Sequence, residues 1–365
     1  MSSPYDDLPP EAFWKTGVVE ADRAALRGLY RPRHVLTRQT AIATAGSCFA
    51  QHIARALRAA GANVLDAEPA PRPMPAEIRA RYGYDLFSAR TGNVYTARQL
   101  RQLLEEVADG EPDSAHVWEE DGRHFDALRP NVEPDGLATV DEVLLHRDYH
   151  LARTSRMLQR TEVLIFTLGL TEAWADRASG RVYPVAPGVV AGRFDPARHV
   201  LRVFRQAEVL EDLAAIRKLL HRFRRGMRLL LTVSPVPLTA TARPRRHVLD
   251  ATAEAKATLR SAVAEFVADH ADADYFPSYE LVTHPALVTD AFAPNLRSVR
   301  PEIVERVMAQ FLQAHGLLDA PSRPDPATAP DDAPDDADGE DEDGDDLVCD
   351  ELLLQAFAPG GEGRR

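Results

Sequence analysis

Apolar positions along this chain follow two alternating rhythms. Residues 163–168, Val-Leu-Ile-Phe-Thr-Leu, are bulky almost throughout and end at Gly169, the pattern of a strand buried on both faces. Residues 229–233 form a second such run, broken by Ser234-Pro235, and residues 41–45 a third built of small and β-branched side chains. Residues 62–65 and 274–279 read as shorter strands. Between these runs the period lengthens to that of amphipathic helices. Phe49, Ile53 and Leu57 share one helical face, and Gly61 stands where a C-terminal cap belongs. Leu100, Leu103, Leu104 and Val107 stripe a helix over 96–108 with Thr96 as its N-cap. Val143, Leu144, Leu151 and Met157 do the same over 141–161. Further helices are expected over 210–223, 251–271 and 301–316, the last with Pro301 in its first turn and Ile303, Val304, Val307 and Phe311 inward. Residues 69–76 are a proline-rich loop, and residues 110–140 are expected to wrap the surface.

Strands separated by helices imply a mainly parallel sheet with right-handed crossovers, hence an α/β, three-layer α/β/α sandwich. In such sheets ligands bind beyond the carboxyl ends of the strands. Three strand ends here carry unusual polar sequences: Ser47 after the first, Gly169 to Glu172 after the central one, and Ser234 to Thr241 after the next. The first is a strand–turn–helix with a hydroxyl and a thiol, Ser47 and Cys48, in the turn. Such a turn exposes a side chain and aims backbone N–H groups at whatever binds there. A nucleophile needs both.

Charge divides the 365-residue chain. The net charge is −13, and residues from Asp319 onward hold sixteen acids and three bases, so residues 1–318 are balanced. A neutral body argues against a nucleic-acid footprint. Residues 320–346 hold no large apolar side chain and are expected to be disordered, while residues 347–357 restore an apolar run that reads as a frayed end or as a motif for a protein partner's groove. Residues 1–38 read as an irregular arm anchored by Phe13, Trp14, Leu26 and Tyr30. No apolar run is long enough to span a membrane, and no leader pattern opens the chain. The two cysteines, Cys48 and Cys349, lie far apart, so no disulfide framework is expected and a cytoplasmic location is favoured. No metal-ligand spacing, phosphate loop or dinucleotide fingerprint occurs, so neither metal nor cofactor is expected.

The stretch Gly46-Ser47-Cys48-Phe49-Ala50 resembles the signature of the GSCFA family, a branch of the SGNH (GDSL-like) hydrolase superfamily. Six further segments look like the proteobacterial branch of that family: Ala12-Phe13-Trp14, the run from Gly92 to Leu100, Phe166 to Trp174, Tyr183 to Gly188, Ser234 to Thr241, and Tyr275 to Glu280. The resemblance spans about residues 4–318 and implies an SGNH-like, flavodoxin-like domain over 1–318, followed by the acidic tail 319–365. It also implies that Ser47 is the nucleophile. Superfamily enzymes hold the oxyanion with the serine N–H, a glycine and an asparagine. Here the matching block, Gly169-Leu170-Thr171-Glu172, carries threonine in place of asparagine, and Asn93 could supply a second donor or simply form a turn.

The superfamily's Asp-x-x-His base is missing from the corresponding stretch, Asn295-Leu296-Arg297-Ser298-Val299. His247 and His284 remain as base candidates from other loops, while His52 is expected to face away. Glu172 could orient a base or contact substrate, or be a helix N-terminal residue favoured by the dipole. Cys48 reads as a packing residue, with a thiol nucleophile as the lesser reading. The expected function is a serine-dependent esterase or acyltransferase acting on a small-molecule or glycan acyl ester. The alternative is a binding protein that keeps the fold without a working triad.

Overall fold

The structure, a computed structural model, describes residues 3–21, 28–318 and 349–358. Strand β1 (Ile42–Gly46) is followed by helices α1 (Ala50–Ala59), α2 (Ala76–Arg81) and α3 (Ala97–Asp109), a hairpin of β2 (Val117–Glu120) and β3 (Arg123–Asp126), and α4 (Val140–Leu158). Strand β4 (Val163–Leu168) leads into β5 (Glu172–Asp176), β6 (Val182–Tyr183) and β7 (His199–Val203). Then come α5 (Gln206–Phe223), β8 (Arg228–Val233), α6 (Val248–Asp269), β9 (Ala273–Phe276), α7 (Ser278–Thr283) and α8 (Pro301–Ala314).

The central sheet runs β1-β4-β8-β9 and is parallel throughout. Period-two alternation divides its side chains between two cores. Leu164, Phe166 and Leu168 face a core closed by α3, α4, α5 and α6. Val163 and Ile165 face a core closed by α1, α7 and α8. This is the three-layer α/β/α sandwich that the alternating rhythms imply.

The strand expected over 62–65 is reduced to one parallel bridge, Ile42 to Val64. The Leu65 N–H donates to the Ile42 carbonyl at 2.8 Å, and then the Glu68 N–H bonds the Asp66 carboxylate, a side-chain turn that peels the chain off the sheet. With that bridge as an outer partner, connections from β1 leave in opposite directions, so β1 and β4 flank the sheet's switch point, where ligands bind in such folds. The strand expected over 274–279 stops at Phe276, because Pro277 has no N–H and Ser278 opens α7.

Two small antiparallel elements were not anticipated. The β2–β3 hairpin falls inside the expected surface wrap at 110–140, and β6-β5-β7 forms a three-stranded sheet. Strands of two to five residues are too short to show a period. Glu172 opens β5, so its reading as a helix N-terminal residue is overturned. Trp118 and Phe125 of the hairpin pack with Tyr183, Val185 and Val189 in a third small core.

In the N-terminal arm Tyr30 packs on Phe276 and Phe311, whereas Phe13 and Trp14 are largely exposed. Leu26 and residues 319–348 lie outside the described residues. Among the described residues, no helix is long and apolar enough to cross a membrane.

Candidate functional site

The Ser47 turn is built by close contact between β1 and β4. Gly46 has φ +147°, and a Cβ there would stand 2.6 Å from the Thr167 carbonyl oxygen. Only glycine allows this approach. The Ser47 N–H donates to the same carbonyl at 3.1 Å, which prolongs the ladder by one residue. The chain then turns directly into α1 through N–H bonds from Ala50 to the Ser47 carbonyl and from Gln51 to the Cys48 carbonyl. The serine amide, expected as an oxyanion donor, is therefore already engaged. The Ser47 side chain is 2% exposed, and its Oγ makes no hydrogen bond among the described residues.

Asn93, Tyr95 and Gly169 are brought to this turn by backbone bonds. The Val94 N–H donates to the Gly46 carbonyl at 2.8 Å, setting Asn93 beside Ser47. Gln99 of α3 braces the segment: its amide donates to the Asn93 carbonyl and its oxygen accepts from the Tyr95 N–H, both at 2.9 Å. The N–H groups of Gly169 and Leu170 converge on the Tyr95 carbonyl at 2.8 and 3.0 Å. A Cβ on Gly169 would lie 3.0 Å from Ser47 Cβ, so the end of β4 and the serine are in direct contact. The Lys256 ammonium of α6 donates to the Gly169 carbonyl at 2.8 Å from a side chain that is only 1% exposed.

Thr171 is buried, and its carbonyl accepts from the Phe204 N–H at 2.8 Å. The Glu172 carboxylate accepts from the Thr241 hydroxyl at 2.8 Å and lies 3.7 Å from the Arg243 guanidinium. Burial raises its pKa against the opposing pull of those two partners. This contact ties the ends of β4 and β8 together. Ser234 follows β8 with its N–H on the Leu168 carbonyl and its Oγ accepting from the Val236 N–H.

None of the twelve histidines hydrogen-bonds Ser47. His247 is exposed and caps α6, its Nδ1 accepting from the Leu249 N–H. The His284 Nδ1 accepts from the Ala286 N–H, and its ring lies against Trp14. His52 packs edge-on to Phe49, and burial lowers its pKa to about 4. The structure thus gathers Ser47, Asn93 and Gly169, adds Lys256, and leaves both histidine candidates outside.

A further group comes from the far end of the chain. The Arg297 guanidinium donates to Cys349 Sγ at 3.7 Å, the Tyr95 hydroxyl lies 3.8 Å from it, and the Cys48 and Cys349 thiols hydrogen-bond. The Asp350 carboxyl accepts from the side-chain amides of Asn131 and Asn93. Its burial pushes its pKa up to about 6, with neighbouring Cys349 adding to the effect. Leu354 lines a cavity of about 160 Å³ together with Leu170, Trp174, Leu238 and Thr241. The described part of the expected docking motif therefore lies on this chain's own strand ends.

Lys256, Arg297, Asn131, Cys349 and Asp350 were missed by the sequence reading. Lys256 had a signal, since it falls on the buried stripe of α6 with Leu259 and Val263, where charged residues are rare. Arg297 stands in the stretch where Asp-x-x-His was sought. Nothing local marks Asn131.

A cavity of about 480 Å³ is lined by Glu105, Glu106, Arg147 and Arg181 and touches none of the strand-end residues above. Arg147 and Arg181 both pair with Glu106 there. No three His, Cys, Asp or Glu side chains among the described residues are grouped to hold a metal.

The fold is an α/β sandwich whose candidate site is the strand-to-helix turn of Ser47, at the switch point of the parallel sheet. The GSCFA family model matches residues 41–311, and the chain belongs to that family. No curated protein and no solved structure matches the chain.

Proposed function

We propose that this chain is a serine-dependent esterase or acyltransferase of the SGNH type, from the proteobacterial branch of its family, acting on a small-molecule or glycan acyl ester in the cytoplasm. The observation that carries this reading is the Asp350 carboxyl resting on the Asn93 amide beside Ser47. A carboxyl oxygen there stands in for the carbonyl of a bound acyl group. Ser47 Oγ attacks that carbonyl, and the Asn93 amide donates to the oxygen as it becomes negative. One such donor is worth about a hundred- to a thousand-fold in rate. Thr171, at the end of β4, is the second donor in this reading. The 160 Å³ cavity beside Glu172 takes the acyl chain or a single sugar.

Lys256 supports the base role better than His247 or His284, because its amine is fixed on Gly169, whose backbone touches Ser47. Serine–lysine pairs are a known variant of the nucleophile–base unit. The test is labelling of the full chain by a fluorophosphonate probe, with hydrolysis of simple acetyl esters in parallel. Ser47→Ala should abolish both, and Lys256→Met should reduce both by at least about a hundredfold while the chain stays folded. Labelling of Ser47→Ala at the wild-type rate would refute the nucleophile.

A second reading, a ligand-binding protein without catalysis, is favoured by the Ser47 Oγ, which hydrogen-bonds nothing among the described residues, and by the Ser47 N–H already on Thr167. It predicts no labelling of wild type, together with saturable binding of acyl glycans by calorimetry.

A further inference from the structure

The chain holds two cysteines, 301 positions apart, and the fold brings them together at the candidate site: Cys349 packs against the core cluster that contains Cys48, and the two thiols interact. Neither is in a disulfide. Cys48 is buried in the turn next to Ser47, whereas Cys349 is half-buried and carried by the terminal segment.

We infer that Cys48 and Cys349 form a reversible intramolecular disulfide that clasps residues 349–357 onto the nucleophile turn and makes access to Ser47 depend on redox state.

The surroundings suit this chemistry. A buried cysteine kept only for packing sits among apolar groups. Cys349 instead has the Cys48 thiol, the Arg297 guanidinium and the Tyr95 hydroxyl around its sulfur. Those partners, led by the Cys48 thiol, hold its pKa well below the usual thiol range against the opposing effect of burial. The thiolate is the form that attacks a disulfide, and a low-pKa thiol also leaves readily, so the bond it makes is easily reduced again.

The step balances with a low-molecular-weight disulfide of the glutathione type as oxidant. The Cys349 thiolate attacks one of its sulfurs, and the displaced thiolate takes a proton from water. Cys48 then loses its proton to solvent, and its sulfur attacks Cys349 Sγ, releasing the second small thiol. Two protein thiols become one disulfide, and two electrons and two protons end on two small thiols. Docking raises the effective concentration of one thiol at the other far above the millimolar range typical of a flexible tether.

The clasp rests on the Ser47 reading only in its effect on catalysis, so it is tested on the thiols first. The full-length protein is equilibrated in glutathione redox buffers, quenched with acid and alkylated with a maleimide of known mass. Both thiols should vanish together, and non-reducing digestion should yield one peptide bearing Cys48 joined to one bearing Cys349. Repeating the exchange in denaturant should weaken the intramolecular bond by at least about tenfold. Two thiols still titratable in oxidised buffer, separate glutathione adducts with no joined peptide, or equal preference folded and unfolded would each overturn the clasp. Fluorophosphonate labelling of the oxidised form should be at least tenfold slower than of the reduced form and unaffected by oxidant in Cys349→Ser. Equal rates in the two forms of wild type would overturn the control of access. A protein that labels in neither form would instead refute the nucleophile reading, and the thiol measurements would still decide the clasp.

Discussion

Two glycines set the geometry around Ser47, and they do so differently. Gly46 combines a left-handed φ of +147° with a Cβ position 2.6 Å from the Thr167 carbonyl. An alanine there adds backbone strain to a clash with a fixed peptide, each worth about 1–3 kcal/mol. Gly46→Ala should therefore lower unfolding stability by about 3 kcal/mol or more, read by urea denaturation. A change under about 1 kcal/mol would show that β1 and β4 can separate freely. Gly169 has no such strain, and its Cβ would press on Ser47 Cβ at 3.0 Å and on the Tyr95 ring at 3.3 Å. Gly169→Ala should leave stability within about 1 kcal/mol. By shifting Ser47 a few tenths of an ångström it should slow probe labelling at least about tenfold, since reactive geometry is that sensitive. Equal labelling would mean that Ser47 does not depend on the end of β4. The same two contacts explain a limit of the sequence. Gly46 and Ser47 are a recognisable turn, but that Ser47 donates its N–H to Thr167 depends on a register between strands more than 100 residues apart.

At the scale of elements, bulk decided what could be read. Strand β4 occupies the expected residues 163–168, and α1, α3, α5, α6 and α8 begin or end within a few residues of expectation, because each buries a long stripe or run. The three-stranded sheet after β4 was illegible, since its members are two to five residues long, too short to show a period. The terminal segment was legible as an apolar run but not in its destination, because docking is set by three-dimensional partners such as Asn131 and Tyr95. Its seating places the acidic Asp350 out of water, where burial disfavours the charge. That cost offsets much of what Leu354 gains by packing. Removing residues 349–365 should thus shift the melting temperature by no more than about 3 °C, a change of under about 1 kcal/mol for a chain of this size. The same deletion should uncover the turn, so that Cys48 reacts with an aromatic disulfide reagent at least about tenfold faster than in full-length Cys349→Ser. A loss of many degrees would show that the segment is structural. Unchanged Cys48 reactivity would show that it does not cover the turn.

The body as a whole carries a liability to mild acid that lies in its histidines. His315, at the end of α8, accepts the Leu36 N–H on Nδ1 at 3.1 Å, and its Nε2 lies 3.3 Å from the Tyr30 hydroxyl. It joins the N-terminal arm to the last helix, and a proton on Nδ1 would remove the acceptor. His150 in α4 is fully buried, with Nδ1 2.7 Å from the Glu68 carboxylate and Nε2 without a hydrogen-bond partner among the described residues. A proton on Nε2 would be an uncompensated buried donor. Burial lowers both pKa values to about 4, with Arg129 adding to the effect on His150. In the unfolded chain these histidines protonate near pH 6.5. Between those values the unfolded state binds more protons, so stability is complete above about pH 6.5 and falls as pH drops towards 4. Each contributes on the order of 3 kcal/mol over that window. Half-buried His52, also lowered to about 4, contributes less. Asp350 titrates in the same range with the opposite sign, since its raised pKa favours docking at low pH. It acts on the terminal segment, so the measurement is best made with residues 349–365 removed. Thermal unfolding followed from pH 7.5 to 4 should then show an uptake of at least two protons near pH 5, with His52, His116 and His199, also lowered by burial, adding to it. His315→Asn, whose side-chain oxygen can still accept the Leu36 N–H, should reduce that uptake by about one. A melting temperature flat across the window, or an unchanged slope in the variant, would mean that these two rings are already protonated in the folded chain.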